Sequence, residues 1–249
     1  AWAELERGHI EKAESIYRSV LNKDPANCNV RYNLAVVLSE RGENNEAYSI
    51  LLECVYTEKA DADVFLKMGD IEKKLEWGSG VAWFEKASQK EPRNESALKQ
   101  LASAYEQEEE YTDALDIYKE LLTIVEEDQR SEFLFERARL LFLKLEEIEE
   151  GQSMLGSSFE EGFNNIDKLA ELYITAQEKD LSEAVLGIED VLRENELIDQ
   201  VMDAVDRKQE QEEQGEEQEK DSPGIEQKDG GSTSGDENNS QAVPSEDSE

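Results

Sequence analysis

Cysteine, histidine and proline are nearly missing from this chain, which holds two Cys, one His and four Pro in 249 residues. Cys28 and Cys54 belong to no Cys-x-x-Cys pair and no Cys/His cluster, so neither a zinc site nor a disulfide framework is signalled, and two reduced, buried thiols are expected. The lone His9 follows Gly8 in a turn, where capping or surface duty is commoner than catalysis. Gly78, Ser79 and Gly80 lack the Lys-Ser/Thr that would make them a phosphate loop. Carboxylates such as Glu108, Glu109 and Glu110 are too abundant to single out an acid/base pair and read as solvated helix faces. With no convergent set of reactive groups, the expectation is a non-enzyme with no cofactor, no metal and no small-molecule substrate. Apolar runs are also short. Residues 140–143 are one of the denser ones, far below the roughly 20 residues of a membrane span, so no membrane association is expected.

Basic residues are scarce. Against 62 Asp and Glu there are 26 Lys and Arg, a formal net charge of −36. Residues 207–249 carry 14 acids and 4 bases, so residues 1–206 hold a net charge of −26 by themselves. Such a surface repels phosphate backbones, which excludes direct nucleic-acid binding by this segment. It attracts and steers basic protein partners.

What the chain has instead is a repeat. A small residue with a large apolar one three before or four after recurs at Ile10-Ala13-Tyr17, Ala47-Leu51, Trp77-Gly80-Phe84, Tyr111-Ala114-Tyr118, Ile148-Gly151-Leu155 and Leu181-Ala184-Ile188. The small residues lie 34, 33, 34, 37 and 33 positions apart. Offsets of three and four put each set on one helix face, and the small residue lets a second helix approach. A partner helix precedes it, seen in Leu34, Ala35 and Leu38 and in Leu98, Leu101, Ala102 and Tyr105. Gly8, Gly42 or a polar pair such as Glu109-Glu110 separates the two helices, and polar turns with Pro25 and Pro92 close two of the units. The triad residues are expected in the core, Trp77, Trp83, Tyr111 and Tyr118 included. After Leu192, an apolar series of Leu197, Ile198, Val201, Met202 and Val205 predicts one more helix, with Asn195 placed to cap its start. Residues beyond 206 are too poor in apolar side chains to offset their ordering entropy and are expected to be disordered. That tail is read as a linker, a polyanion mimic or a phosphorylated segment, Ser234 and Glu237 fitting an acidophilic kinase.

These units resemble the tetratricopeptide repeat family over residues 1–192, most strongly at 98–122 and 3–25. The resemblance implies an all-α fold, a right-handed superhelical solenoid of antiparallel helix pairs, with the acidic tail outside it. Its units are a partial repeat at 1–27, repeats at 28–61, 62–94 and 95–128, degenerate ones at 129–162 and 163–206 (the last with an extra capping helix), and the tail at 207–249. The chain opens mid-repeat, with residues 1–7 standing for a first helix, and is expected to be a piece of a longer protein. In this family the first helix of each hairpin lines a groove, which makes Tyr32, Val36, Lys99 and Ser103 the candidate partner contacts. A clamp for a chaperone's C-terminal carboxylate, another use of the family, needs Lys, Arg and Asn on these faces. Asn29, Tyr32, Val36 and Glu40, with Ser96, Lys99, Ser103 and Gln107, suit it poorly.

The order of segments narrows the resemblance. VAWFEKASQKEPRN at 81–94 leads to ASAYEQEEEYTDALDIYKELL at 102–122, then the irregular ERARLLFLKLEEIEEGQSMLGSSF at 136–159, NNIDKLAELYITAQEKDLSEAVLGIEDVL at 164–192 and an acidic stretch. That order is similar to the family of tetratricopeptide subunits of general transcription factor IIIC. It implies a nuclear scaffold for RNA polymerase III initiation, with factor IIIB components and other factor IIIC subunits as partners. A generic acidic adaptor or co-chaperone for basic chains, in the cytoplasm, is the alternative.

Overall fold

The computed structural model describes residues 9–220, with side chains through residue 211. Residues 1–8 and 221–249, with the expectations that fall on them, lie outside the described part. Among the described residues there are twelve α-helices and no strand. They are α1 (Ile10–Leu21), α2 (Cys28–Glu40), α3 (Asn44–Tyr56), α4 (Ala62–Lys74), α5 (Val81–Lys90), α6 (Glu95–Gln107), α7 (Tyr111–Leu121), α8 (Glu127–Leu140), α9 (Ile148–Glu160), α10 (Ile166–Glu178), α11 (Ser182–Glu194) and α12 (Ile198–Lys220). A π turn, Leu141–Leu145, extends α8. Consecutive helices pair as hairpins, α2 with α3, α4 with α5, α6 with α7, α8 with α9 and α10 with α11.

Local chemistry sets where these helices start and stop. Asn27, Asp61, Asn94 and Asn165 each accept a hydrogen bond from the backbone N–H three residues on, so the first helix of four hairpins begins on an Asn/Asp cap. Helix ends close by a backbone N–H that donates to the carbonyl five residues before it, as in Glu110 to Tyr105 and Leu181 to Ala176. That closure needs one residue in the left-handed region. Gly42 and Gly162 supply it after α2 and α9, whereas Glu58, Glu76, Glu109, Glu146, Asp180 and Glu196 supply it elsewhere at φ between 55° and 61°. Asn195 is the residue that ends α11, donating to the Val191 carbonyl, and does not start α12 as expected. The left-handed Glu196 behind it leaves room for only a short turn before Ile198.

The small residues do what their spacing requires. Ala13, Ala47 and Ala114 are fully buried, as are Leu51, Phe84, Leu155 and Ile188 beside them. The core is a succession of local clusters along the chain, as expected when each repeat buries its apolar face only against its neighbours. The tightest approach joins α4 to α5. A Cβ at Gly69 would sit 2.4 Å from the Phe84 ring, and one at Gly80 would sit 2.9 Å from the Gly69 carbonyl oxygen.

Trp77 departs from the expected core. It is 59% exposed, because the turn after α4 closes on Glu76 and passes through left-handed Gly80, delaying the start of α5 to Val81. Trp77 therefore precedes the helix and cannot share the face of Phe84. The cysteines are also corrected. Cys28, opening α2, is disulfide-bonded to Cys54 in the last turn of α3, with Cα atoms 5.6 Å apart. The antiparallel hairpin brings its two ends together, a proximity that their separation of 26 residues does not display. The 37-residue interval before Gly151 is taken up in α8, whose final turn widens to π around buried Phe142. Finally, α12 runs past the boundary drawn at residue 206 to Lys220, carried by Glu, Gln and Lys, all good helix formers.

Three tyrosines fasten neighbouring helices. Tyr105 donates to Glu85 at 2.9 Å, Tyr118 to Glu106 at 2.7 Å and Tyr173 to Glu189 at 2.7 Å. Burial and then the adjacent carboxylate raise all three phenols, Tyr173 to about 12. A folded pKa above the unfolded value means that the native state holds its protons longer, so stability is fully present below about pH 10 and falls as pH climbs through the folded values. Tyrosinate absorbance is expected to show these three phenols ionising last, together with loss of helical circular dichroism. Ordinary titration of every tyrosine in a still-folded chain would contradict the assignment.

Candidate protein-binding face

The first helices of the hairpins, α2, α4, α6, α8 and α10, carry the candidate contacts. Tyr32 and Val36 lie one turn apart on α2 and are half-buried. Lys99 is exposed and Ser103 half-buried on α6. The two pairs are not adjacent, because α4 stands between them in chain order and packs on both α2 and α6. What α4 presents is polar. Asp63 is exposed and Lys67 and Asp70 are half-buried. Burial, then Asp63, Asp61 and Asp70, raise the Tyr32 phenol. Burial raises the Asp70 carboxyl against the pull of Lys67, and burial with Lys74 lowers Lys67. Spacing gives only a faint signal for them, in that Asp70 stands 34 residues on from Val36.

Toward the C-terminal side the face becomes a network of ion pairs. Lys99 pairs with Glu95, and its ammonium lies 5.2 Å from the Phe133 ring on α8. Arg139 bonds Glu106 of α6 and Glu136 at 2.6 Å each, and Lys168 of α10 bonds Glu132 and Glu136 of α8. Burial pulls Arg139 and Lys168 down, and their carboxylates more than offset it, so both are raised. A cavity of about 370 Å³ opens beside them, lined by Arg139, Lys144, Lys168, Lys179 and two glutamates, Glu136 and Glu171. Charge thus ties α6 to α8 and α8 to α10. Among the described residues no His, Cys, Asp and Glu cluster is arranged to hold a metal, and no helix is long and apolar enough to cross a membrane.

Residues 4–71 and 97–132 match two sequence profiles of the tetratricopeptide repeat family. Those two stretches carry tetratricopeptide repeats. The fold agrees. The crystal structure of MamA superposes with a TM-score of 0.56 at 17% identity, covering 64% of this chain and 92% of that one. PilF of Pseudomonas aeruginosa gives 0.54 at 19%, covering 78% and 87%. YrrB, described as a tetratricopeptide repeat protein with an unusual peptide-binding site, gives 0.54 at 17%, covering 75% and 97%. No curated protein sequence matches. Tetratricopeptide arrays as a class are protein-protein interaction scaffolds, each offering an extended surface to a partner.

Proposed function

We propose that this array is part of the tetratricopeptide subunit of transcription factor IIIC, and that in the nucleus it gathers basic segments of factor IIIB components and other factor IIIC subunits. The observation that carries the reading is the order of segments: the regular repeat segments at 81–94 and 102–122, the irregular unit at 136–159, LAELYITAQ at 169–177 and the acidic stretch that follows. The charge supports the class of partner, since a net −26 over residues 1–206 favours basic chains and disfavours acidic ones. Tyr32, Val36, Lys99 and Ser103 would be the contacts. In a nucleus, Cys28 and Cys54 would face each other as thiols, because disulfides persist mainly in oxidising compartments. The same charge favours a second reading, an acidic adaptor that shields basic chains in the cytoplasm.

The test is a pulldown from nuclear extract with the full chain, washed at low and high salt and read by mass spectrometry, beside a Val36→Arg, Ser103→Arg variant. Long arginines at half-buried positions can reach solvent without disturbing the core and repel a basic partner. Factor IIIC or IIIB subunits held at high salt by the parent, and weakened about tenfold or more in the variant, are expected. Histones and other basic proteins that wash away would establish the adaptor instead. Equal recovery by both chains would remove Val36 and Ser103 from the interface.

A further inference from the structure

The strongest unexplained surface lies away from the first-helix face. Trp77 is 59% exposed in the turn between α4 and α5. Its ring meets Tyr48 of α3 edge-on at 5.3 Å, and Tyr48 in turn meets Trp83 of α5 at 6.2 Å. Under these rings lies Glu72, half-buried, which accepts the Trp83 indole N–H at 2.7 Å. Its other oxygen faces Gly78, where a Cβ would sit 3.0 Å away. Glu76 adds an exposed carboxylate one residue before Trp77. Indole faces carry negative electrostatic potential and attract cations. The Trp83 ring is already engaged in this way, with the Lys86 ammonium 4.1 Å from its centre and Phe65 stacked on it at 6.1 Å, so the exposed Trp77 is the ring left to a partner.

We propose that the exposed ring of Trp77, held edge-on by Tyr48 and flanked by the carboxylates of Glu72 and Glu76, forms a second docking site that takes an arginine side chain from an extended basic segment of a partner protein. The charge of the chain and of the site selects a cation. The flat, exposed indole of Trp77 selects guanidinium over ammonium, since guanidinium stacks on an aromatic face and is less strongly hydrated. The site deepens the reading of the array as a receptor for basic partners and rests on it, but not on the factor IIIC assignment.

The test uses fluorescence anisotropy of a labelled alternating Arg-Gly peptide and a Lys-Gly peptide of equal length, titrated with the full chain. The Arg peptide is expected to bind about fivefold more tightly than the Lys peptide. Trp77→Ala should erase that preference, and Trp77→Phe, which keeps a ring against Tyr48, should restore part of it. The remote pair Glu108→Gln, Glu109→Gln should weaken both peptides alike. Equal affinity of the two peptides for the parent, or a preference that survives Trp77→Ala, overturns the site while leaving the basic-partner reading intact. Failure of both peptides to bind the parent overturns both.

Discussion

Replacing Phe84 with alanine is expected to cost about 3–5 kcal/mol, the range for emptying a fully buried aromatic site. Phe84 is 0% exposed and fills the space between Gly69 on α4 and Gly80 at the start of α5. Neither glycine has a side chain to collapse into the vacancy. In a repeat array the loss should be local as well as large, because each hairpin touches only its neighbours. Urea unfolding followed by circular dichroism should therefore broaden or split, with α1 to α3 uncoupled from α6 and the helices beyond it. Gly69→Ala is the converse change. Its methyl would overlap the Phe84 ring and cost about 1–3 kcal/mol, and Gly69→Ala with Phe84→Leu should recover part of that loss. A cost for Phe84→Ala below about 1 kcal/mol, well under the usual range, would show that this contact does not couple the hairpins.

The second large effect has the opposite sign. Glu58, Glu76, Glu109, Glu146, Asp180 and Glu196 all hold left-handed backbone at helix C-termini, where Gly42 and Gly162 do the same without strain. A side chain in that region costs about 1–2 kcal/mol, offset in part by the greater freedom of glycine in the unfolded chain. A carboxylate beside the negative end of a helix dipole costs a further few tenths. Changing all six to glycine is expected to raise stability by about 3–6 kcal/mol, near additively because the turns are far apart. The same six changed to alanine relieve the charge but keep the strain, so they should give only a minor part of the gain. Thermal melts of the two sets decide the matter. If alanine matches glycine, charge alone limits stability at these turns.

The hairpins are legible in the sequence because two periods coincide. Apolar residues repeat every three to four positions within a helix and small residues every 33 to 37 between units, and that coincidence by itself assigns Ala13, Ala47 and Ala114 to the core. The polar turns announce the caps Asn27 and Asn94 for the same local reason, an Asn side chain reaching the N–H three residues on. The middle of the binding face is harder to read. Lys67 and Asp70 look in sequence like ordinary surface charges, and only the packing of α4 within the array half-buries them and shifts their titration.

Local sequence thus determined that this chain is helical, repeated and acidic, since helix periodicity and capping depend on residues a few positions apart and net charge on composition alone. Tertiary structure alone decided that Trp77 faces solvent, that Asn195 ends a helix, that Cys28 meets Cys54, and that the 37-residue interval is absorbed by a longer α8 that ends in a π turn around Phe142. Each of these turns on how a hairpin closes. A left-handed residue or a shift of one turn redirects a side chain completely, and spacing along the chain carries no record of that rotation.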